Sequence, residues 1–154
     1  MVLKIIQSDI TTLTTDVIVN AANTQLLQGG GVCGAIFRTA GASELQKACD
    51  KLAPIKTGEA VITSAFNLPS KYIIHTAGPI YRDGKQKEEE FLRACYRNSL
   101  YLAKAKDCKS IAFPLIASGI YGYPRQEAKE VAKSEIQKFL LENEMDIYLI
   151  VFDE

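Results

Sequence analysis

Six short runs of apolar and β-branched residues punctuate the chain: VLKIIQSDI (2–10), DVIVNAA (16–22), EAVITSAF (59–66), KYIIHTA (71–77), SIAFPLIA (110–117) and DIYLIVF (146–152). Each is bounded by turn residues, the signature of a strand. Between them, residues 34–52, 88–106 and 125–143 carry apolar positions at helical spacing, for example Phe91, Ala94, Cys95 and Leu102, or Val131, Ile136, Phe139 and Leu140. Strand and helix alternate, and strands as continuously apolar as SIAFPLIA predict a sheet covered on both faces, an α/β sandwich. The pattern shows no internal repeat, low-complexity segment or linker, so residues 1–154 read as a single domain.

Composition narrows the partners. Lys plus Arg and Asp plus Glu both number 18, leaving a formal charge of zero. No global field draws such a protein to nucleic acid or to anionic lipid. The N-terminus lacks a charged region followed by an apolar core and a cleavage site, and no apolar run approaches the length of a membrane span, so a cytoplasmic protein is expected. Four cysteines, Cys33, Cys49, Cys95 and Cys108, form no C-x-x-C pair, and with His75 the single histidine they do not build a zinc site. Free, mostly buried thiols are the simple reading, and no metal or cofactor is expected.

Two glycine-rich stretches stand out, LLQGGGVCGAIF (26–37) and IASGIYGYP (116–124), each leading into a helix. Gly29, Gly31 and Gly34 satisfy G-x-G-x-x-G, but the strand DVIVNAA ends several residues too early for a dinucleotide-binding turn, and Ala35 stands where a P-loop needs lysine. Lysine-free glycine loops at helix entrances point instead to main-chain amides that embrace phosphate, and two of them predict a diphosphate held from opposite sides. Either loop taken alone is also what an ordinary tight turn looks like.

SDI (8–10), DVIVNAAN (16–23), LQGGGVCGAIFRTAG (27–41), TGEAVIT (57–63), KYIIHTAGP (71–79) and IAFPLIASGIYGYP (111–124) resemble, in order and over nearly the whole chain, the motifs of the macrodomain, an ADP-ribose-binding family. The resemblance is to the MacroD-type branch, whose members remove ADP-ribose from modified proteins or deacetylate O-acetyl-ADP-ribose. It implies a three-layer α/β/α sandwich with a mixed, mostly parallel sheet of six or seven strands. It also implies ADP-ribose, O-acetyl-ADP-ribose and mono-ADP-ribosylated proteins as partners. Relatives of this kind continue past the last strand, so the chain is also read as a domain excised from a longer protein.

Position by position, the resemblance places Asp9 on the adenine amino group beside the Ile10 backbone, with a turn or N-cap as the alternative role for Asp9. Phe152 matches an aromatic that stacks on adenine, or else belongs to the strand core. Asn23, next to Ala22, corresponds to the asparagine on the distal ribose, while Asn20 reads as structural. Gly30, Gly31 and Val32 would line the distal ribose and phosphate, and Ser118, Gly119, Ile120, Tyr121 and Gly122 would wrap the diphosphate.

Two departures bear on activity. Cys33 stands where the branch has an aspartate that activates the attacking water, and Phe37 replaces a histidine. A thiol is a poorer hydrogen-bond acceptor than a carboxylate. Asn23 and Cys33 are nonetheless the candidate catalytic residues, with preorganised loops and substrate phosphate supplying the rest. The resulting expectation is an ADP-ribosyl ester hydrolase. Three alternatives stay open: a reader that binds ADP-ribose without turning it over, a Cys33 nucleophile served by His75, and a phosphatase indifferent to the distal ribose.

Overall fold

A computed structural model describes residues 3–151. In chain order the elements are β1 (Leu3–Gln7), a 3-10 turn (Ile10–Thr12), β2 (Val17–Ala22), α1 (Gly31–Ala40), α2 (Ala42–Asp50), β3 (Ala60–Ser64), β4 (Tyr72–Ala77), α3 (Glu88–Ala105), β5 (Ser110–Pro114), α4 (Arg125–Leu140) and β6 (Asp146–Val151). The six strands form one sheet in the order β1-β6-β5-β2-β4-β3. Every neighbouring pair is parallel except β3 and β4, so the sheet is mixed and mostly parallel, as expected.

Alternation along β2 explains the layering. Val17 and Val19 point into a core shared with Leu92, Tyr96, Val131 and Ile136 of α3 and α4. Ile18 and Ala22 point the other way, against Ile36, Phe37 and Leu45 of α1 and α2. A strand whose successive side chains face opposite cores must be apolar at nearly every position. Burying side chains as large as Phe37, Tyr96 and Phe113 contributes about 1.5–3 kcal/mol each.

Several predicted boundaries move. The run 34–52 is two helices, not one. At Gly41 φ is +111°, a conformation that stops α1, and the Gly41 N–H closes the last turn on the Phe37 carbonyl. The predicted strands also overrun. β1 stops at Gln7 because Asp9 caps the following turn, its Oδ1 accepting from the Thr11 N–H (3.0 Å) and hydroxyl (2.7 Å). The run SIAFPLIA leaves the sheet after Pro114, which lacks an N–H to continue a ladder.

Candidate functional site: a cleft between two glycine loops

β2 and β5 pair only at Val17–Ile111 and Ile18–Ala112, after which β2 keeps company with β4 and β5 with β6. The chain leaves β2 for α1 on one face of the sheet and leaves β5 for α4 on the other. Strands that part toward opposite faces open a crevice at their carboxyl ends, the place where α/β sheets bind ligands. A cleft of about 460 Å³ lies there, with residues 29–33 on one wall and 114–121 on the other.

The first wall is tied by side-chain amides. Asn23 Oδ1 accepts from the N–H groups of Gln25 (3.1 Å) and Leu27 (3.0 Å), and its Nδ2 donates to the Leu27 carbonyl (2.8 Å). Gln46 of α2 adds a second clamp, accepting from the Gln28 N–H (3.0 Å) and donating to the Leu26 carbonyl (2.9 Å). The loop then enters α1 at Gly30 with no side-chain cap. The first N–H groups of a helix have no intrahelical partner, so this entrance presents donors and the positive end of the dipole to the cleft.

The glycines divide by role. A Cβ on Gly34 would sit 2.6 Å from the Gly29 carbonyl oxygen, so glycine there lets the loop fold onto α1. A Cβ on Gly30 or Gly119 would meet nothing within 4 Å. Among the described residues no packing demands glycine at those two positions, and the backbone there is open to close approach from the cleft.

The second wall is tied mainly through its main chain. The Tyr123 N–H donates to the Ala117 carbonyl (2.9 Å) and the Gly122 N–H to that of Gly119 (3.0 Å), drawing residues 117–123 into a compact loop. The Ser118 hydroxyl donates to the Leu115 carbonyl (2.9 Å), and the buried Tyr96 hydroxyl accepts from the Ile116 N–H (3.1 Å). Among the described residues, the amides of Gly119, Ile120 and Tyr121 have no partner within the protein. α4 follows behind Pro124, again without a side-chain cap.

Beneath the first wall a buried polar chain runs inward. Asn20 Nδ2 lies 3.0 Å from His75 Nδ1 and 3.7 Å from Cys33 Sγ, and His75 Nε2 lies 3.0 Å from the Thr63 hydroxyl. Burial pushes the His75 pKa down to about 4, so the ring is neutral near pH 7. Cys33 and His75 make no direct hydrogen bond. Asn20 stands between them, and the Cys33 sulfur is occupied by Asn20 and by the Leu27 carbonyl at 3.8 Å. The other three thiols are free and buried, with Cys49 pushed up to about 12 by burial.

Of the residues proposed from sequence, Ala22, Asn23, Gly30, Gly31, Val32, Cys33, Ser118, Gly119, Ile120 and Tyr121 line the cleft. Gly122 shapes the second loop at φ +77° without lining it. Asp9 caps and Ile10 opens the 3-10 turn beyond β1, both outside the lining, and Phe152 lies outside the described residues. Arg125 was not anticipated. It opens α4 directly after the second loop and is the one charged side chain among the described residues lining the cleft. The basic residue immediately after YGYP was the available signal.

Fold and cleft together define an α/β domain with a crevice at the carboxyl ends of its strands, walled by two glycine loops that lead into helices. A Macro domain profile matches residues 19–132, and the chain belongs to that family. The O-acetyl-ADP-ribose deacetylase of Escherichia fergusonii is 48% identical, over 99% of this chain and 89% of that protein. Among solved structures, a mutant of the Oceanobacillus iheyensis macrodomain with ADPR superposes with a TM-score of 0.94 at 48% identity, covering 99% of this chain and 86% of that one. The same macrodomain with ADP gives 0.93 at 49% identity, covering 99% and 84%. Among the described residues, no helix is long and apolar enough to cross a membrane.

Proposed function

We propose that the cleft binds ADP-ribose and that the protein hydrolyses ADP-ribosyl esters, either O-acetyl-ADP-ribose or the linkage to mono-ADP-ribosylated acidic side chains of proteins. The observation that carries this is the pair of uncapped glycine loops facing each other across an almost uncharged cleft, a geometry suited to a diphosphate between two sugars. The deacetylase named among the relatives supports the reaction class. Asn23 borders the cleft where the distal ribose would lie. Its carbonyl oxygen already accepts two loop N–H groups, so its first task is to hold the loop that faces the sugar.

Ester hydrolysis adds a water across the acyl–oxygen bond, hydroxyl to the carbonyl carbon and hydrogen to the ribose oxygen. Cys33 is turned to Asn20 and Leu27, leaving the water to be oriented by the loops and by a substrate phosphate oxygen. The free thiols and absence of a membrane-spanning helix among the described residues are in keeping with action in a reducing cytoplasm.

The second reading, a reader that binds ADP-ribose without turnover, is favoured by the same occupied sulfur. The two separate by experiment. Calorimetric titration with ADP-ribose tests the ligand. Release of free ADP-ribose from O-acetyl-ADP-ribose and from a glutamate-linked ADP-ribosylated protein tests the reaction, with Cys33→Asp alongside. Turnover by the parent protein establishes the hydrolase. Binding without turnover, gained on Cys33→Asp, establishes the reader, and absence of binding overturns both.

A further inference from the structure

The loop between β4 and α3 lies outside the cleft lining except at Gly78, yet it is held with unusual care. Glu88, the first residue of α3, is 2% exposed, and its carboxylate accepts four main-chain N–H groups. Oε2 takes those of Arg82 (2.9 Å), Asp83 (3.2 Å) and Gly84 (3.2 Å), and Oε1 takes that of Gln86 (2.6 Å). A carboxylate wrapped by successive amides is a rigid nest, and no salt-bridge partner is needed to explain its burial.

The nest has one neighbour of consequence. A Cβ on Gly84, at φ +80°, would lie 2.8 Å from the Tyr81 hydroxyl oxygen, so the nest backbone is packed directly against that phenol. Tyr81 in turn grips the second glycine loop twice. Its N–H donates to the Tyr121 carbonyl at 2.8 Å, and its ring meets Tyr123 edge-on with centroids 4.9 Å apart. Those two contacts bracket the end of the segment whose Gly119, Ile120 and Tyr121 amides have no partner among the described residues.

We propose that Glu88 is a positioning residue for ligand binding: through the 82–86 nest and Tyr81 it sets the second glycine loop in the conformation that receives the diphosphate. The inference rests on the ADP-ribose reading for its ligand but not for its structural coupling. Glu88 itself lies outside the cleft lining. Loss of its carboxylate frees four N–H groups, loosens the backing of Tyr81 and lets Tyr121 drift.

The test uses hydrogen exchange of the ligand-free protein together with ADP-ribose titration. Glu88→Gln presents amide hydrogens to a nest of donors, and Gly84→Ala drives a methyl at the Tyr81 hydroxyl from the opposite side. Both are expected to speed exchange across 118–122 while leaving 29–34 unchanged, and to weaken ADP-ribose about tenfold, roughly what one or two lost hydrogen bonds cost. Adding Tyr81→Phe to Gly84→Ala removes the oxygen that the methyl meets and is expected to recover part of both effects. A merely structural Glu88 would speed exchange at 82–87, or everywhere, with 118–122 no faster than 29–34 and affinity intact; that pattern overturns the proposal. Should the parent protein fail to bind ADP-ribose, the functional reading falls, while the exchange comparison still decides the coupling.

Discussion

The two glycine loops perform parallel tasks on opposite walls of one cleft, but they are built differently. The first is shaped by side-chain amides, Asn23 from within and Gln46 from the adjoining helix, over a buried Asn20–His75–Thr63 chain. The second is closed by its own main chain and steadied by aromatic residues, the Tyr96 hydroxyl below and Tyr81 beside it. A wall held by side chains fails one residue at a time, whereas a wall held by backbone bonds yields only when its supports move.

Acid should expose the difference most strongly. His75 is held neutral with its pKa lowered from 6.5 to about 4, so the folded state resists a proton that the unfolded chain accepts. Its contribution is complete above about pH 6.5, declines as the pH falls, and is gone near pH 4, a loss of about 3 kcal/mol from this group. Glu88, supporting the second wall, is lowered to about 2, chiefly by the Arg82 N–H, and its support persists well below the pH at which His75 takes its proton. Denaturant unfolding from pH 7 to pH 4 checks this. The expected decline should be largely absent in His75→Gln, and an equal decline in that variant would place the acid sensitivity elsewhere.

Asn23→Ala attacks the first wall at its centre. It removes three hydrogen bonds and leaves the Gln25 and Leu27 N–H groups without their acceptor, so affinity for ADP-ribose should fall by about 2 kcal/mol. Asn23→Asp keeps the acceptor for both N–H groups but turns a carboxylate oxygen onto the Leu27 carbonyl and adds a negative charge at the cleft, so calorimetry should find ADP-ribose bound at least as weakly, while hydrogen exchange of residues 25–28 should stay closer to the parent than in Asn23→Ala. Were exchange of residues 25–28 as fast in Asn23→Asp as in Asn23→Ala, the two accepted N–H bonds would not be what holds the loop.

Much of this architecture was legible beforehand. Alternating apolar runs located all six strands, and LQGGGVCGAIFRTAG and IAFPLIASGIYGYP located both walls, because glycine and apolar periodicity are local signals. The Gly41 break was hidden because helical periodicity continues through it. The occupation of Cys33 was hidden because its partners, Asn20 and Leu27, approach from a strand and a loop that only the fold brings together. The Glu88 nest was hidden because its donors are main-chain N–H groups, which leave no side-chain signal in the sequence. Nothing in KQKEEE distinguishes the one glutamate that turns inward from the two that follow it.

Paired glycine substitutions sharpen the comparison further. Gly34→Ala places a methyl 2.6 Å from the Gly29 carbonyl, and the overpacking should lower stability by about 1–2 kcal/mol, read as a fall in the thermal midpoint. Gly119→Ala meets no protein atom and should leave the midpoint within experimental error while still weakening ADP-ribose. If both variants changed the midpoint alike, the division of the glycines into packing and ligand-facing roles would fail.

The smallest effect concerns charge. Both walls rely on neutral donors, yet an ADP-ribose diphosphate carries two negative charges, and Arg125 is the one charged side chain among the described lining residues. At the rim of an open cleft, solvent and salt weaken such an attraction, so Arg125→Gln should cost only about 0.5–1 kcal/mol of affinity at low ionic strength. The more telling readout is the slope. Titrations between low and high salt should show the parent losing affinity as salt rises and Arg125→Gln losing much less, with the two converging at high salt. An undiminished slope in the variant would mean that the diphosphate is read by main-chain donors and helix ends alone.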